Sequence, residues 1–357
     1  MSGIEPINVA DYERLAGDLL EAGPLGYFAG GAGDERTLRR NVDAFAEWEL
    51  LPRVLVDVSA VDASVELFGS RLSMPIAVAP VAFQQLAHAD GEEGMARAAA
   101  AAGTAMTLST IATATPATVA AAAPDGARWF QLYCFRDRAV TEALLAEAVE
   151  SGYGAIALTV DAPFAGRRER DLRTGFAVDV AAPAVQAAIG SDVPLTPKEV
   201  FDLVDASIDW DDFAALASGC ELPVLLKGVH SPADAELAIE HGAGGLVVSN
   251  HGGRQLDGVP ATIDLLPEIA EVVAGRVPVL VDGGIRRGTD VVVALALGAD
   301  ATLVGRAPLW GLAVGGEKGA RAVLEILRAE FELALELLGC PTPGAVTREH
   351  ARRRAAR

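Results

Sequence analysis

Eight short apolar runs, separated by helical patterns, constrain the fold of this chain more than any other feature. Their segments are PIAVAP (75–80), GTAMTLST (103–110), ARWFQLY (127–133), GAIALTVD (154–161), LPVLLKG (222–228), GGLVVSN (244–250), VPVLVDGG (277–284) and ATLVGR (301–306). Several intervening segments begin near Ser, Thr or Asp and end at Gly, as capped helices do. Buried strands that alternate with helices predict an α/β fold, a (β/α)8 TIM barrel. A doubly wound sheet is the main alternative, but its glycine-rich first turn is missing from APVAFQQLAH.

The length of 357 residues suits one barrel, so we predict a single domain over 1–357. Residues 1–74 precede the first strand and are predicted to form an N-terminal helical cap, and residues 75–357 the barrel. Strands four and five are separated by an Ala-, Pro- and Asp-rich excursion. An insertion of this length predicts a lid over about 170–209.

Composition excludes several classes of function. A formal net charge of −20 disfavours nucleic acid and anionic membrane surfaces as partners. The three cysteines form no CxxC and show no zinc-type spacing with histidine, so neither a disulfide framework nor a metal is expected. The N-terminal sequence lacks the regions of a signal peptide, and no apolar stretch reaches the length of a membrane span. We therefore expect a soluble, cytoplasmic protein.

Polar groups follow nearly every predicted strand. In a barrel of this kind, residues just past the carboxyl ends of the strands line the active site. Those positions are occupied by Pro80, Ala82, Ser109, Gln131, Tyr133, Thr159, Asp161, Lys227, Ser249, His251, Asp282, Gly305 and Arg306. The regularity of this arrangement predicts that one mouth of the barrel is a functional site.

Strands seven and eight end in DGGIRRG and VGR, which predict a phosphate site of glycine N–H groups and arginine. Lys227 closes an apolar strand, where a solvated surface lysine would be unusual. Its cation could stabilise an electron-rich ring, form a Schiff base or pair with a buried carboxylate.

The stretch SNHGGRQLDG (249–258) holds the candidate base, His251. A polar turn with a structural histidine is the alternative. Asp161 would orient the imidazole and favour its protonated form. Arg254 and Arg168 are candidates to clamp a substrate carboxylate, although Arg168 equally suits a solvated charge run, GRRERDLR. Tyr27 and Tyr133 are two of four tyrosines, and a core role is their alternative.

The motifs SNHGGRQLD, DGGIRRGTDV, LTVDAPFAGRRERD, QLY, LPVLLKG and YFAGGAGDERTL occur in family order over essentially the whole chain. In them the chain resembles the FMN-dependent α-hydroxy acid oxidase and dehydrogenase family, which includes glycolate, lactate and mandelate oxidases. The resemblance implies FMN across the barrel mouth, held by Pro80, Val81, Ala82, Ser109, Gln131, Thr159, Lys227, Ser249, Asp282, Gly283, Gly284, Arg286, Gly305 and Arg306. It also implies His251 as base, Asp161 as its partner, Arg168 and Arg254 as the carboxylate clamp, and Tyr27 and Tyr133 as substrate contacts.

By this resemblance the reaction is oxidation of an (S)-2-hydroxy acid to a 2-oxo acid, with O2 or another acceptor reoxidising the flavin. A soluble dehydrogenase or monooxygenase of the family is an alternative. An FMN-dependent isomerase and a non-catalytic FMN barrel are more remote ones. A homo-oligomer, tetramer or octamer, is implied.

Two positions depart from glycolate oxidases. Ile111 stands where those enzymes carry a large aromatic residue, and Ala165 stands where they tend to have leucine. Both changes predict a wider pocket and bulkier substrates.

Overall fold

The computed structural model describes residues 5–178, 180–191, 195 and 197–354. Eight parallel strands close into a barrel, which confirms the predicted fold. These strands are β4 (Ile76–Val78), β5 (Met106–Ser109), β6 (Arg128–Leu132), β7 (Ile156–Thr159), β8 (Val224–Val229), β9 (Gly245–Val248), β10 (Val279–Asp282) and β11 (Ala301–Val304). They pair in chain order, and β11 pairs with β4 to close the ring.

Helices connect the strands around the outside. They are α4 (Gly91–Ala101), α5 (Pro116–Ala122), α6 (Arg138–Glu150), α10 (Trp210–Gly219), α11 (Pro232–Glu240), α12 (Thr262–Val273), α13 (Gly288–Ala296) and α14 (Arg306–Leu338). Side-chain caps begin several of them: Thr115 accepts from the N–H of Thr118, and Ser231 from that of Asp234. Proline at the first helical position supports both starts, because its missing N–H would be unpaired there anyway.

The barrel interior follows from the two-residue period of a strand. Small and apolar side chains, among them Ala105, Ala155, Leu225, Val247 and Leu280, fill its lower layers. Two residues further along β8, β9 and β10 the same face carries a lysine, a serine and an aspartate. One strand pattern therefore supplies both the packed core and the polar mouth.

The N-terminal segment is not wholly helical, which corrects the prediction of a helical cap. It contains α1 (Val9–Leu19), α2 (Ala22–Ala29), α3 (Arg36–Asp43), β1 (Trp48–Leu50), β2 (Val65–Leu67) and β3 (Ser70–Leu72). The β2–β3 hairpin packs against the interior cluster, where Phe68 meets Trp129 edge to face at 5.2 Å. This apolar hairpin contributes to the barrel core, while α1 packs against α14.

The excursion predicted as a lid carries three short helices, α7 (Glu169–Thr174), α8 (Pro183–Ile189) and α9 (Pro197–Leu203). After the barrel, β12 (Ala351–Arg353) pairs with β1 and joins the two ends of the chain. Five 3-10 turns complete the described elements: Ala44–Glu47, Gln84–Leu86, His251–Gly253, Pro343–Ala345 and Arg348–His350. No helix in the described ranges is both long and apolar enough to cross a bilayer.

Candidate active site

A cavity opens at the carboxyl ends of the barrel strands, and most of the predicted site residues line it. Those residues are Tyr27, Pro80, Val81, Ala82, Ser109, Ile111, Gln131, Tyr133, Thr159, Arg168, Lys227, His251, Arg254, Asp282, Gly283, Gly284, Arg286, Gly305 and Arg306. Asp161 and Ser249 stand behind this wall and bond to residues that form it. Ala165, predicted as a pocket wall, is exposed and is not among the lining residues.

The sequence prediction missed several lining residues, namely Phe28, Phe201, Gly252, Ile285 and Leu309. Phe201 lies on α9, and its ring approaches that of Tyr133 with centroids 5.5 Å apart. No strand-end rule could find Phe201, because its helix reaches the mouth from the excursion between β7 and β8. Phe28 adjoins the predicted Tyr27 in the segment YFAGG, which was the only available signal for it.

His251 is placed by the turn that follows β9. Its φ of +57° lies in the left-handed region. The turn is fixed because the N–H of His251 donates to the Oγ of Ser249 at 3.1 Å. Its Nδ1 lies 3.0 Å from Oδ1 of Asp161. A carboxylate can only accept here, so Nδ1 carries the proton and the lone pair of Nε2 is available as a base.

Burial lowers the pKa of His251 below its ordinary value, and the charges of Lys227 and Arg168 act in the same direction. Asp161 raises that pKa but does not overcome the burial. Asp161 thus favours the protonated form, as the sequence predicted, but burial has the larger effect and the imidazole is neutral near pH 7. Although burial opposes it, the charge and hydrogen bond of His251 lower the pKa of Asp161, which stays ionised.

Lys227 is buried and forms a compact polar cluster with two neighbours. Its Nζ lies 2.9 Å from Oγ of Ser249 and 3.2 Å from Oδ2 of Asp282. Ser249 Oγ donates to the same Oδ2 at 2.8 Å. Burial would lower the pKa of Lys227, but Asp282 and Asp161 outweigh it and raise the pKa. Of the three roles considered for this lysine, the structure shows pairing with a buried carboxylate, which leaves a permanent cation at the cavity wall.

Buried arginines give the cavity a strongly cationic wall. Arg306 donates to the carbonyls of Phe28, Gly252 and Gly30, at 2.9, 3.0 and 3.0 Å. None of the described carboxylates lies within ion-pair distance of Arg254 or Arg306. Burial lowers the pKa of Arg306 to about 9 and, together with Arg168, that of Arg254 to about 10. Because an uncompensated buried cation is costly, this wall indicates that the cavity binds anions.

Arg168 belongs to the cavity rather than to the solvated charge run. Its guanidinium lies 5.7 Å from the centroid of the Tyr27 ring, and that of Arg254 lies 5.0 Å from the same ring. The Nε of Arg168 is buried without a hydrogen-bond partner among the described residues. The neighbouring Arg167 and Arg173 are exposed. Two guanidinium groups thus flank one aromatic ring, an arrangement that suits a planar carboxylate.

Besides Nε of Arg168, three polar atoms on the cavity wall have no hydrogen-bond partner within the described parts of the chain. They are Nε2 of Gln131, Oγ1 of Thr159 and Oδ1 of Asp282. Buried polar atoms are normally paired, so these atoms indicate a ligand with both donors and acceptors. At the far side, Gly284 has a φ of +87°, and a Cβ there would lie 1.9 Å from the carbonyl oxygen of Asn41. Only glycine allows that turn, which brings its backbone and Arg286 to the cavity.

Comparisons by sequence and by structure find similar known proteins that match nearly the whole chain. The model of the FMN-dependent dehydrogenase family matches residues 16–353. Human (Homo sapiens) 2-hydroxyacid oxidase 1 is 44% identical over 347 residues, covering 94% of this chain and 93% of that protein. Glycolate oxidase 3 of Arabidopsis thaliana is 46% identical over 355 residues, covering 97% and 96%. The structure of a mandelate oxidase with (S)-4-hydroxymandelic acid superposes with a TM-score of 0.92 at 41% identity, covering 98% of this chain and 100% of that one.

Proposed function

The chain belongs to the FMN-dependent dehydrogenase family, and we propose that it oxidises an (S)-2-hydroxy acid to the corresponding 2-oxo acid. One observation carries this proposal: a neutral, oriented histidine and two partly buried arginines meet in one cavity with the cationic lysine cluster. The histidine can act as the base, and the arginines can bind the substrate carboxylate. The lysine cluster can stabilise a bound group that accepts electrons. A flavin isomerase has no evident use for the carboxylate clamp.

The residues present fit the FMN of this family. Gly283, Gly284, Arg286, Gly305 and Arg306 would hold its phosphate, since the buried guanidinium groups require an anion. The unpaired atoms of Gln131, Thr159 and Asp282 would bond its ring and ribityl chain. When bound, FMN supplies a two-electron acceptor, and Lys227 offers positive charge to the ring as it becomes reduced.

The chain's own residues then handle the substrate. Arg254 and Arg168 bind the carboxylate, with the hydroxyl groups of Tyr27 and Tyr133 as further partners. This places the 2-hydroxyl and C2–H groups of the substrate beside Nε2 of His251, which accepts one proton. The other hydrogen and two electrons, as a hydride or by way of a carbanion, would be taken up by FMN as the C2–O bond becomes a carbonyl. Asp161 stabilises the imidazolium so formed and holds its ring in place.

We further propose that O2 reoxidises the enzyme and yields hydrogen peroxide. The relatives named as oxidases support this acceptor. A dehydrogenase or monooxygenase of the same family is the second candidate, and oxygen consumption separates it from the first. A cytoplasmic homo-oligomer, tetramer or octamer, also belongs to the proposal, and light scattering tests the assembly.

The substrate is proposed to be bulkier than glycolate. Ile111 lines the cavity and supports a wide pocket. Ala165 adds no support, since it is exposed and is not among the lining residues. The similarity to a mandelate oxidase agrees with this size class.

Anaerobic mixing with a panel of 2-hydroxy acids tests the proposed function. The flavin absorbance should bleach with the (S)-enantiomers of mandelate-like acids and less rapidly with glycolate. His251→Ala should retain FMN but reduce it about 10²–10⁴-fold more slowly. His241→Ala, a change outside the cavity, is the matched control. The proposal is contradicted if none of the 2-hydroxy acids reduces the wild-type flavin. It is also contradicted if flavin reduction in His251→Ala proceeds at the wild-type rate.

A further inference from the structure

A second cavity lies behind the base, on the other side of Asp161 from the substrate. We call it the rear cavity; its volume is about 380 Å³. The rear cavity is lined by Val160, Asp161, Trp210, Leu226, Gly228, Val229, His230, Asp234, Asn250, Gln255, Leu256 and Val259. It is large enough for several water molecules and offers polar groups to hold them.

Two buried atoms of residues that line the rear cavity lack partners among the described residues. One is Oδ2 of Asp161, the oxygen that His251 does not use, and the other is Nε2 of His230. Both atoms are buried, so each needs a hydrogen bond that the rest of the described chain does not provide. A carboxylate oxygen and an imidazole nitrogen are readily bridged by water.

The backbone at the end of β8 explains why His230 reaches this position. The pairing of β8 with β9 shifts register between Lys227 and Val229. At the shift, Gly228 has a φ of +112°, and a Cβ there would lie 2.7 Å from Cβ of Asp161. The strand end therefore passes against Asp161, with Lys227 on the front side and His230 at the rear. Irregularities of this kind redirect side chains beside active sites.

We propose that His230 is a positioning residue for the catalytic base, holding Asp161 through water in the rear cavity so that one carboxylate serves two histidines. His251 binds Oδ1 and faces the substrate, while His230 serves Oδ2 and faces the rear cavity. The role of this arrangement in catalysis rests on the proposed function. The sharing of Asp161 by two histidines is independent of that function.

The arrangement couples the two imidazoles electrostatically. When His230 is protonated, its charge lowers the pKa of Asp161. The same charge repels a proton on His251, so it helps to keep the base neutral in acid. The other charged groups around these residues are Asp234 in the rear cavity, and Lys227 and Arg168 on the side of the base. Removing the imidazole of His230 should thus raise the pKa of His251.

The direct test is an NMR titration of FMN-loaded protein with labelled histidine. The chain has five histidines, and the His251→Ala spectrum identifies the signal of His251. In His230→Gln the His251 signal should titrate at higher pH than in the wild type, because glutamine keeps a hydrogen bond but carries no charge. His88→Gln, a change at a partly exposed histidine beside Asp90 that lines neither cavity, should leave that signal unchanged. An unaltered His251 titration in His230→Gln, and also in His230→Asn, overturns the proposal.

Activity gives a second readout. Relative to the wild type, kcat/KM of His230→Gln should fall about twofold to fivefold at about pH 5.5 and agree at about pH 8, where histidines carry little charge. An equal loss at both pH values would show a merely structural role and overturn the coupling. If no 2-hydroxy acid reduces the wild type, the proposed function fails, while the NMR titration still decides the role of His230.

Discussion

At the scale of single residues, the site depends on how buried charges are balanced. Lys227 and Asp282 are both almost fully buried and bridged by Ser249. A buried ion pair contributes little net stability, but removal of one partner leaves the other charge without compensation. The two residues are therefore expected to behave as one unit.

Lys227→Met should lower the free energy of unfolding by about 3–5 kcal/mol, because the Asp282 carboxylate is left buried and unpaired. The double variant Lys227→Met, Asp282→Asn should recover a large part of that loss. Urea unfolding of the apoproteins measures both. Lys318→Met, at an exposed position, should change stability by less than about 0.5 kcal/mol. Equal stabilities of the single and double variants would show that the pair is not coupled.

At the scale of elements, the pocket receives walls from two different parts of the chain. Ile111 comes from the turn after β5, and Phe201 comes from α9 of the excursion. The rings of Phe201 and Tyr133 are in contact, so α9 places an aromatic surface beside a proposed substrate contact. Substrate choice is thus expected to depend on the strand ends and on this short helix together.

Ile111→Trp should shift preference toward glycolate over mandelate-like acids. A change in hydrophobic fit of about 1–3 kcal/mol corresponds to a 10- to 200-fold change in the ratio of kcat/KM values. Steady-state kinetics with both substrates measures this ratio. Ala165→Leu is the matched control and should leave the ratio unchanged, because Ala165 is exposed. A shift caused by Ala165→Leu would mean that the excursion folds over the mouth when substrate binds.

The last barrel helix, α14, is bent on itself at Gly315 and Gly316, whose dihedral angles are not helical. The bend brings Gly311 and Gly319 into backbone contact, and a Cβ on Gly319 would lie 2.0 Å from the carbonyl oxygen of Gly311. Arg306, a residue of the proposed phosphate site, begins the same helix. The close glycine contact therefore supports the position of the proposed phosphate site.

Gly319→Ala should destabilise the protein by about 1–3 kcal/mol, since the two halves of α14 must separate. Gly17→Ala is the matched control within a helix: a Cβ there meets nothing within 4 Å. Alanine should stabilise α1 by about 0.5–1 kcal/mol through its helix propensity. Thermal unfolding of the two variants should thus move in opposite directions. A shift of the same sign in both would refute the steric explanation.

At the scale of the whole molecule, an acidic chain encloses a cationic cavity. The formal net charge is −20, yet the mouth of the barrel buries Arg254, Arg286 and Arg306 with Lys227. The acidic surface repels anions at long range, so binding of FMN must rest on contacts inside the cavity.

Removal of FMN should leave an apoprotein that inorganic phosphate stabilises. At a phosphate concentration of 100 times Kd the gain is about 2.7 kcal/mol, visible as a higher Tm. Sodium chloride at equal ionic strength is the control, since screening alone also relieves repulsion in an acidic protein. In Arg306→Met the response to phosphate should be lost. Equal effects of phosphate and chloride on the wild type would argue against a phosphate site.

The barrel and most of the lining of its mouth could be predicted from the amino-acid sequence. Strand patterns of period two place Lys227, Ser249 and Asp282 on the inner face, and parallel strands bring their carboxyl ends to one edge. The order of strands and helices along the chain is enough to predict these positions, because strands that are consecutive in sequence are neighbours in the barrel.

Features that depend on the paths of irregular segments follow from tertiary packing alone. Packing leaves Ala165 outside the lining, brings Phe201 into the pocket from α9, and seats the β2–β3 hairpin against the barrel core. It also places His230 behind Asp161 through the shifted register at Gly228. These positions are set by packing and burial between residues far apart in the chain. Local sequence patterns do not predict these positions. The ends of the strands are predictable because the barrel brings all of them to one edge.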